Sequence, residues 1–296
     1  MSVRRQGKLA IDKFNVSLQP GECIGIAGPN GAGKSSLLAA LSGWFPISSG
    51  TLRFKGRSLP PGRVPVEIGF ATQEPTVYPQ LTGRENLRFF GALYDLSGPV
   101  LEKRVQELVD RMDLAVWADQ RADGYSGGVA RRLHLALALI NEPDMLLLDE
   151  PTVGLDPGTR HHVLNSIQEL RDSGVGIVLT SQILGDLEVV STRMVVIVEG
   201  RAAIDQSTKD LMSRVGSGVI VAELAELTTP QVDFSDIPGV LNWRLEEGVL
   251  KVRVNNPHSA MPTVMARLDR DGILVARMSL EPPSLEDLLQ EMVPAL

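Results

Sequence analysis

The chain has 296 residues, 43% hydrophobic and 22% charged, which suits a soluble globular protein with room for one large domain and a small one. Its net charge of −7 argues against a nucleic-acid surface, so no nucleic acid is expected as a partner. No apolar stretch reaches the roughly 20 residues a membrane helix needs, and "MSVRRQGKLAIDKF" lacks a secretory apolar core. The chain is therefore expected neither to span a membrane nor to be exported on its own signal, although it could dock on a membrane partner. The single cysteine, Cys23, cannot form an internal disulfide, fits a reducing cytoplasm and reads as core packing.

The first half alternates strand-like and helix-like runs. "ECIGIAG" (22–28) reads as a buried strand and "KSSLLAALSGW" (34–44) as a helix. Strands are expected at 51–56 and 67–73. A helix is expected over 81–96, starting near the cap residue Thr82 with Glu85 three positions on. Further helices are expected over 100–114 and 127–141. "DMLLLDE" (144–150) is an apolar strand ending in two carboxylates. A helix over 159–174, closed by glycine, and strands at 176–181 and 193–200 follow. Such alternation predicts an α/β fold built on a parallel sheet. After about residue 213 the texture changes to strand, strand pair (239–254), helix (259–272), strand and helix. That predicts a small α+β unit of roughly 80 residues with its boundary at Gly216–Gly218.

"GPNGAGKS" (28–35) follows a strand and opens a helix, the context in which G-x-x-x-x-G-K-[ST] is a phosphate loop. Gly28, Gly31 and Gly33 let the backbone curl so that successive N–H groups point inward, and the helix adds its N-terminal dipole. Pro29, Asn30, Ala32 and Ser36 complete the predicted ATP cradle. Lys34 is expected to bridge β- and γ-phosphates, and the Ser35 hydroxyl to bind Mg²⁺. Asp149 emerges at the carboxyl end of its strand, where α/β sheets bind ligands, and can hold Mg²⁺ through water. Glu150 can polarise an attacking water.

Between these segments lies "YSGGVARRL" (125–133), "PTVGLDP" (151–157) follows them, and Gln73 ends "EIGFATQ". From residue 10 to about 215 the set resembles an ABC-type ATPase, the nucleotide-binding subunit of ATP-driven transporters. "QEPTVYPQLTGRENLRFFGALYDLSG" resembles the ATPases of type-2 exporters, including the daunorubicin-resistance subfamily, and the tail resembles their C-terminal accessory domain. The resemblance implies a P-loop NTPase, with a RecA-like core sheet, an antiparallel β part and a helical subdomain inserted at about 74–140. The cassette would occupy residues 1–215 and the small α+β accessory domain 216–296.

It further implies head-to-tail pairing with a second cassette, identical or not. Ser126, Gly127 and Gly128 would contact the partner's ATP, and the helix behind them would point its N-terminus at the γ-phosphate. Asp156 would sit at the dimer seam, where it can also cap the next helix. Gln73 would contact Mg²⁺ or the attacking water and pass a ligand-driven shift to a partner. Phe89, Phe90 and Tyr94 are expected to be mostly core, with the remainder lining the groove for an ABC-2-type membrane permease. That permease would hold the chain at the cytoplasmic face of the membrane.

Three positions depart from the family pattern. Gln182, in "LTSQILGD", stands where a histidine usually contacts the γ-phosphate. Glutamine can donate one hydrogen bond but carries no charge and shuttles no proton, so slowed hydrolysis is expected, unless Gln182 merely caps a loop. No aromatic residue precedes Phe14 to stack on adenine. The matching place falls at Arg5 or Gln6, as though the chain began short of the usual first strand; the alternatives are arginine stacking on the base, weaker affinity or a start farther upstream. Val129 stands where glutamine is commonest. The leading reading is an ATPase that drives an exporter. A nucleotide clamp beside a more active cassette is the alternative, and a soluble ABC protein of translation or DNA repair is disfavoured for lack of a second cassette or coiled-coil insertion.

Overall fold

The apolar runs seen in the sequence become the buried strands of a central sheet. The computed structural model describes residues 1–5, 7–59, 65–215, 217–225, 232–281 and 284–293. In chain order the elements are β1 (Val3–Arg5), β2 (Lys8–Ile11), β3 (Cys23–Ala27), α1 (Lys34–Leu41), β4 (Arg53–Phe54), β5 (Arg57–Ser58), β6 (Ile68–Ala71), α2 (Gly83–Leu93), α3 (Gly98–Arg111), α4 (Gly127–Ala138), β7 (Met145–Asp149), α5 (Pro157–Asp172), β8 (Gly176–Thr180), α6 (Leu184–Val190), β9 (Arg193–Val198) and β10 (Arg201–Ser207). Then come α7 (Thr208–Val215), β11 (Gly218–Leu224), β12 (Val240–Glu246), β13 (Val249–Val254), α8 (Pro257–Arg270), β14 (Val275–Glu281) and α9 (Leu285–Met292). The chain divides into two compact units, Met1–Thr208 and the part from Lys209 on. Gly216, offered from sequence as part of the boundary, lies outside the described residues.

In the first unit the sheet runs in the order β10-β9-β3-β8-β7-β6. All neighbours are parallel except β10, which pairs antiparallel with β9. β3 and β8 are buried at every position, as strands covered on both faces must be. Leu37, Leu38 and Ala40 of α1 pack with Ile24, Ile26, Leu147 and Val195 in one core. That packing sets the start of α1 above the carboxyl ends of the strands. α2 opens on the predicted capping box: Thr82 accepts from the Glu85 N–H, and Glu85 accepts from the Thr82 N–H.

Several expectations need correction. Residues 51–56 form a two-residue strand that turns through Lys55 and Gly56, both at positive φ, into β5. At the start of the chain β1 pairs antiparallel with β2. Gln6 lies outside the described residues. Phe89 is 41% exposed, and Phe90 and Tyr94 are half-buried rather than core. Phe89 packs edge-on against Tyr78 with ring centroids 4.8 Å apart, and Phe90 lies 5.9 Å from the same ring.

The second unit is a four-stranded antiparallel sheet in the order β12-β13-β11-β14. Val252 and Val254 pack with Ala260, Val264 and Leu268 of α8 and with Phe234 in a separate core.

Candidate active site

The loop from Gly28 to Gly33 joins β3 to α1. Gly28 has φ +150°, and a Cβ there would lie 2.2 Å from the Ile197 carbonyl oxygen. Gly33 has φ +106°, and a Cβ there would lie 2.4 Å from the Ala10 carbonyl oxygen. Neither position admits a side chain, so the curl of the loop is fixed by glycine. The helical ladder starts with the Leu37 N–H on the Gly33 carbonyl, and no side chain caps α1. The amides of Lys34, Ser35 and Ser36 thus precede the ladder at the positive end of the helix.

Lys34 is 7% exposed, and its Nζ donates to the carbonyls of Gly28 (2.7 Å) and Pro29 (3.3 Å). Burial pulls its pKa below the ordinary lysine value, while the nearby carboxylates of Glu150 and Asp149 oppose that shift. The ammonium adds a positive charge at the loop, beside the uncapped and positive end of α1.

Asp149 (5% exposed) and Glu150 (3% exposed) close β7. Thr180, fully buried at the end of β8, organises both. Its hydroxyl donates to Asp149 Oδ1 at 2.7 Å and accepts from the Glu150 N–H at 3.0 Å. Glu150 Oε2 accepts from the Gln182 N–H at 3.0 Å. Burial raises the Glu150 pKa above the usual carboxylate value, partly offset by the Gln182 amide and the Lys34 charge. A carboxyl group with raised proton affinity suits proton acceptance. Glu150 also has φ +52°, a left-handed conformation that is uncommon for a residue with a side chain.

Lys34, Asp149, Glu150 and the Gln182 main chain are therefore assembled in one place. The Ser35, Gln73 and Gln182 side chains are exposed. Ser126 caps α4, its hydroxyl accepting from the Val129 N–H at 3.4 Å. Its neighbour is the Asp156 segment: the nearest atoms to a Cβ on Gly128 belong to Leu155 and Thr159, at 3.7 and 3.9 Å. Asp156 caps α5, accepting from the N–H groups of Gly158 and Thr159 at 3.1 Å each. Hydrogen bonds from Thr159 and Gly158 hold its carboxyl below the usual range. Nothing lies within 4 Å of a Cβ on Gly127.

Sequence reasoning missed Thr180 and Arg131. Thr180 was hidden as the end of an apolar run. Arg131 had one signal, a charge spaced at i+4 and i+7 from Leu135 and Ala138, both buried.

A family model described as "ABC transporter" matches residues 11–153, and one described as "ATP-binding protein DrrA1-3-like, C-terminal domain" matches residues 207–293. The chain is 31% identical, over 95% of its length and 93% of the relative's, to the linearmycin resistance ATP-binding protein LnrL of Bacillus subtilis (strain 168). It belongs to the ABC transporter ATP-binding proteins. Another member, the daunorubicin resistance ATP-binding protein DrrA2 of Streptomyces coeruleorubidus, is 35% identical over 97% of this chain and 91% of its own. The ABC cassette also superposes on a solved ATP-binding subunit of an ABC transporter, with TM-score 0.65 and 26% identity over 72% of this chain and 90% of that one. The resemblance read from the motifs is thus borne out, as is the P-loop NTPase fold. The family is that of the ABC ATPases, to which the assembled Lys34, Asp149 and Glu150 belong by motif.

Proposed function

We propose that this ABC protein is the ATP-binding and hydrolysing subunit of an ABC-2-type exporter, paired with a second cassette and docked through a permease at the cytoplasmic membrane face. The observation that carries the reading is the buried trio Lys34, Asp149 and Glu150 beside the uncapped start of α1. In this reading residues 1–215 form the cassette, with its helical subdomain at about 74–140, and 216–296 the accessory domain. The main-chain N–H groups of the Gly28–Ser36 segment, Pro29 excepted, cradle the triphosphate, Lys34 neutralises its β- and γ-oxygens, and Glu150 takes the proton from the attacking water.

The donor set fits Mg²⁺: the Ser35 hydroxyl, the Gln73 amide oxygen and the Asp149 carboxylate are hard oxygen ligands. Thr180 donates to Asp149 Oδ1 and so orients the carboxylate that would hold the ion or its water. When bound, the ion neutralises charge developing on the phosphate oxygens.

Gly127 supports the paired arrangement. Its φ is not in the left-handed range and its surroundings are open, so no demand of its own chain calls for glycine there. Close approach of a second cassette's nucleotide does. The names of the relatives, linearmycin and daunorubicin resistance ATP-binding proteins, favour an exporter of compounds of that kind.

Gln182 supports a second reading, a nucleotide clamp beside a more active cassette, because an amide side chain carries no charge and shuttles no proton where it stands next to Glu150. ATPase measurements on the purified complex, comparing the parent with Glu150→Gln, separate the two. Loss of a general base lowers kcat about 10²–10⁴-fold in an active cassette, whereas equal rates establish the clamp and overturn the hydrolytic reading.

A further inference from the structure

Arg131 is only 4% exposed, on the inward face of α4, the helix that starts at the Ser126 turn. A buried guanidinium is costly unless its donors are satisfied. Among the described residues it forms no ion pair with a carboxylate; its donors go to main-chain carbonyls instead. Nη1 donates to the carbonyls of Thr72 (2.9 Å) and Gln73 (2.5 Å), and Nη2 to those of Asp149 (3.5 Å) and Glu150. These carbonyls lie just past β6 and at the end of β7, where two adjacent parallel strands leave the sheet. A planar fork of fixed donors can grip two strand exits at once, and a lysine ammonium cannot do so in the same geometry.

The grip also completes the anchoring of Glu150. Its N–H goes to Thr180, its carboxylate oxygen to the Gln182 N–H, and its carbonyl to Arg131. A left-handed residue persists only where its surroundings over-determine it. Arg131 is therefore joined rigidly to three places: the Ser126 turn through α4, the Gln73 turn, and the backbone of Glu150.

We propose that Arg131 is a positioning residue that couples these three places, so that a nucleotide engaged at the Ser126 edge is registered both at the Gln73 turn and in the orientation of Glu150. This rests on the ATPase reading above. Among the described residues Arg131 donates to Thr72, Gln73, Asp149 and Glu150 and not to the loop of Gly28–Ser36, so it should matter little for binding and greatly for turnover. The asymmetry separates coupling from a purely structural role.

The test uses the purified full chain and Mg-ATP, with Arg131→Met and the milder Arg131→Lys, which keeps the buried charge. For each, the ATP Kd, the kcat and the amide exchange of residues 72–77 and 28–36 with and without ATP are measured. The Kd should stay within about threefold of the parent while kcat falls about tenfold. ATP should still protect 28–36 but no longer alter exchange at 72–77. Should Arg131→Met fail to fold, Arg131→Lys decides with the same readouts. Parental kcat with a parental exchange response at 72–77 overturns the coupling. So does loss of ATP binding in step with kcat in Arg131→Lys, which would make Arg131 structural only. A parent chain that binds no ATP overturns the nucleotide-site reading itself, and the coupling with it.

Discussion

Thr180→Val is nearly isosteric and removes one hydroxyl from the centre of the site. The hydroxyl is fully buried, donates to Asp149 Oδ1 at 2.7 Å and accepts from the Glu150 N–H at 3.0 Å. A hydrogen bond to a charged acceptor contributes about 1.5–3 kcal/mol, and loss of it leaves a buried carboxylate oxygen unpaired. The Glu150 N–H keeps an acceptor in the Thr180 carbonyl at 3.2 Å, so its loss adds little. The extra buried methyl returns about 0.8 kcal/mol. The net cost is about 1–2 kcal/mol, which for a unit of this size lowers Tm by about 2–8 °C. Thermal unfolding of parent, Thr180→Val and Thr180→Ser chains measures it. Thr180→Ser keeps the hydroxyl and should hold turnover far better than Thr180→Val, in which Asp149 and Glu150 lose their common tether. A Thr180→Val chain with parental Tm and parental ATPase refutes the argument.

Three further outcomes are expected. Gln182→His restores a charge-assisted donor worth about 1–2 kcal/mol and should raise steady-state ATPase of the assembled transporter about 5–30-fold; an unchanged rate removes Gln182 from the account of slow turnover. Gly127→Ala should leave Tm unchanged or raise it, since alanine at an open helical position contributes about 0.5–1 kcal/mol, yet it should weaken ATP-dependent dimerisation seen by size-exclusion chromatography with light scattering. The raised pKa of Glu150 means that its ionised form costs stability: the cost is absent below the ordinary carboxylate pKa and grows as pH rises through the folded value. Glu150→Gln should therefore unfold at higher temperature than the parent at neutral pH, the gap closing as pH falls below the ordinary glutamate value. A gap independent of pH contradicts the burial argument.

What was legible in the sequence was local. The glycine loop between β3 and α1, the carboxylates after an apolar strand and the Thr82–Glu85 cap are all set by residues a few positions apart, and the structure has each of them. The elements missed have weak local signals. α6 is a single short helix of seven residues, and β10 buries one residue, Ile204, so neither shows clear periodicity. Phe89 and Phe90 were expected in the core because aromatic residues at helical spacing usually pack there; Tyr78, from the preceding loop, covers them instead. The anchors of the site were illegible for another reason. Thr180 reaches Asp149 across 31 residues, and Arg131 reaches Thr72 across 59. Asp186, completely buried, receives both Arg160 and the Thr152 hydroxyl from the segments around Asp156. No short motif carries pairings of that span; only the folded sheet brings the partners together.

The most direct test of the central claim is equilibrium binding of Mg-ATP to Lys34→Ala beside the parent. The Lys34 ammonium is the buried positive charge at the loop, and removing it should weaken binding by at least about tenfold, with turnover lost. A Lys34→Ala chain that holds and cleaves ATP as the parent does would show that the triphosphate does not sit against Gly28–Ser36.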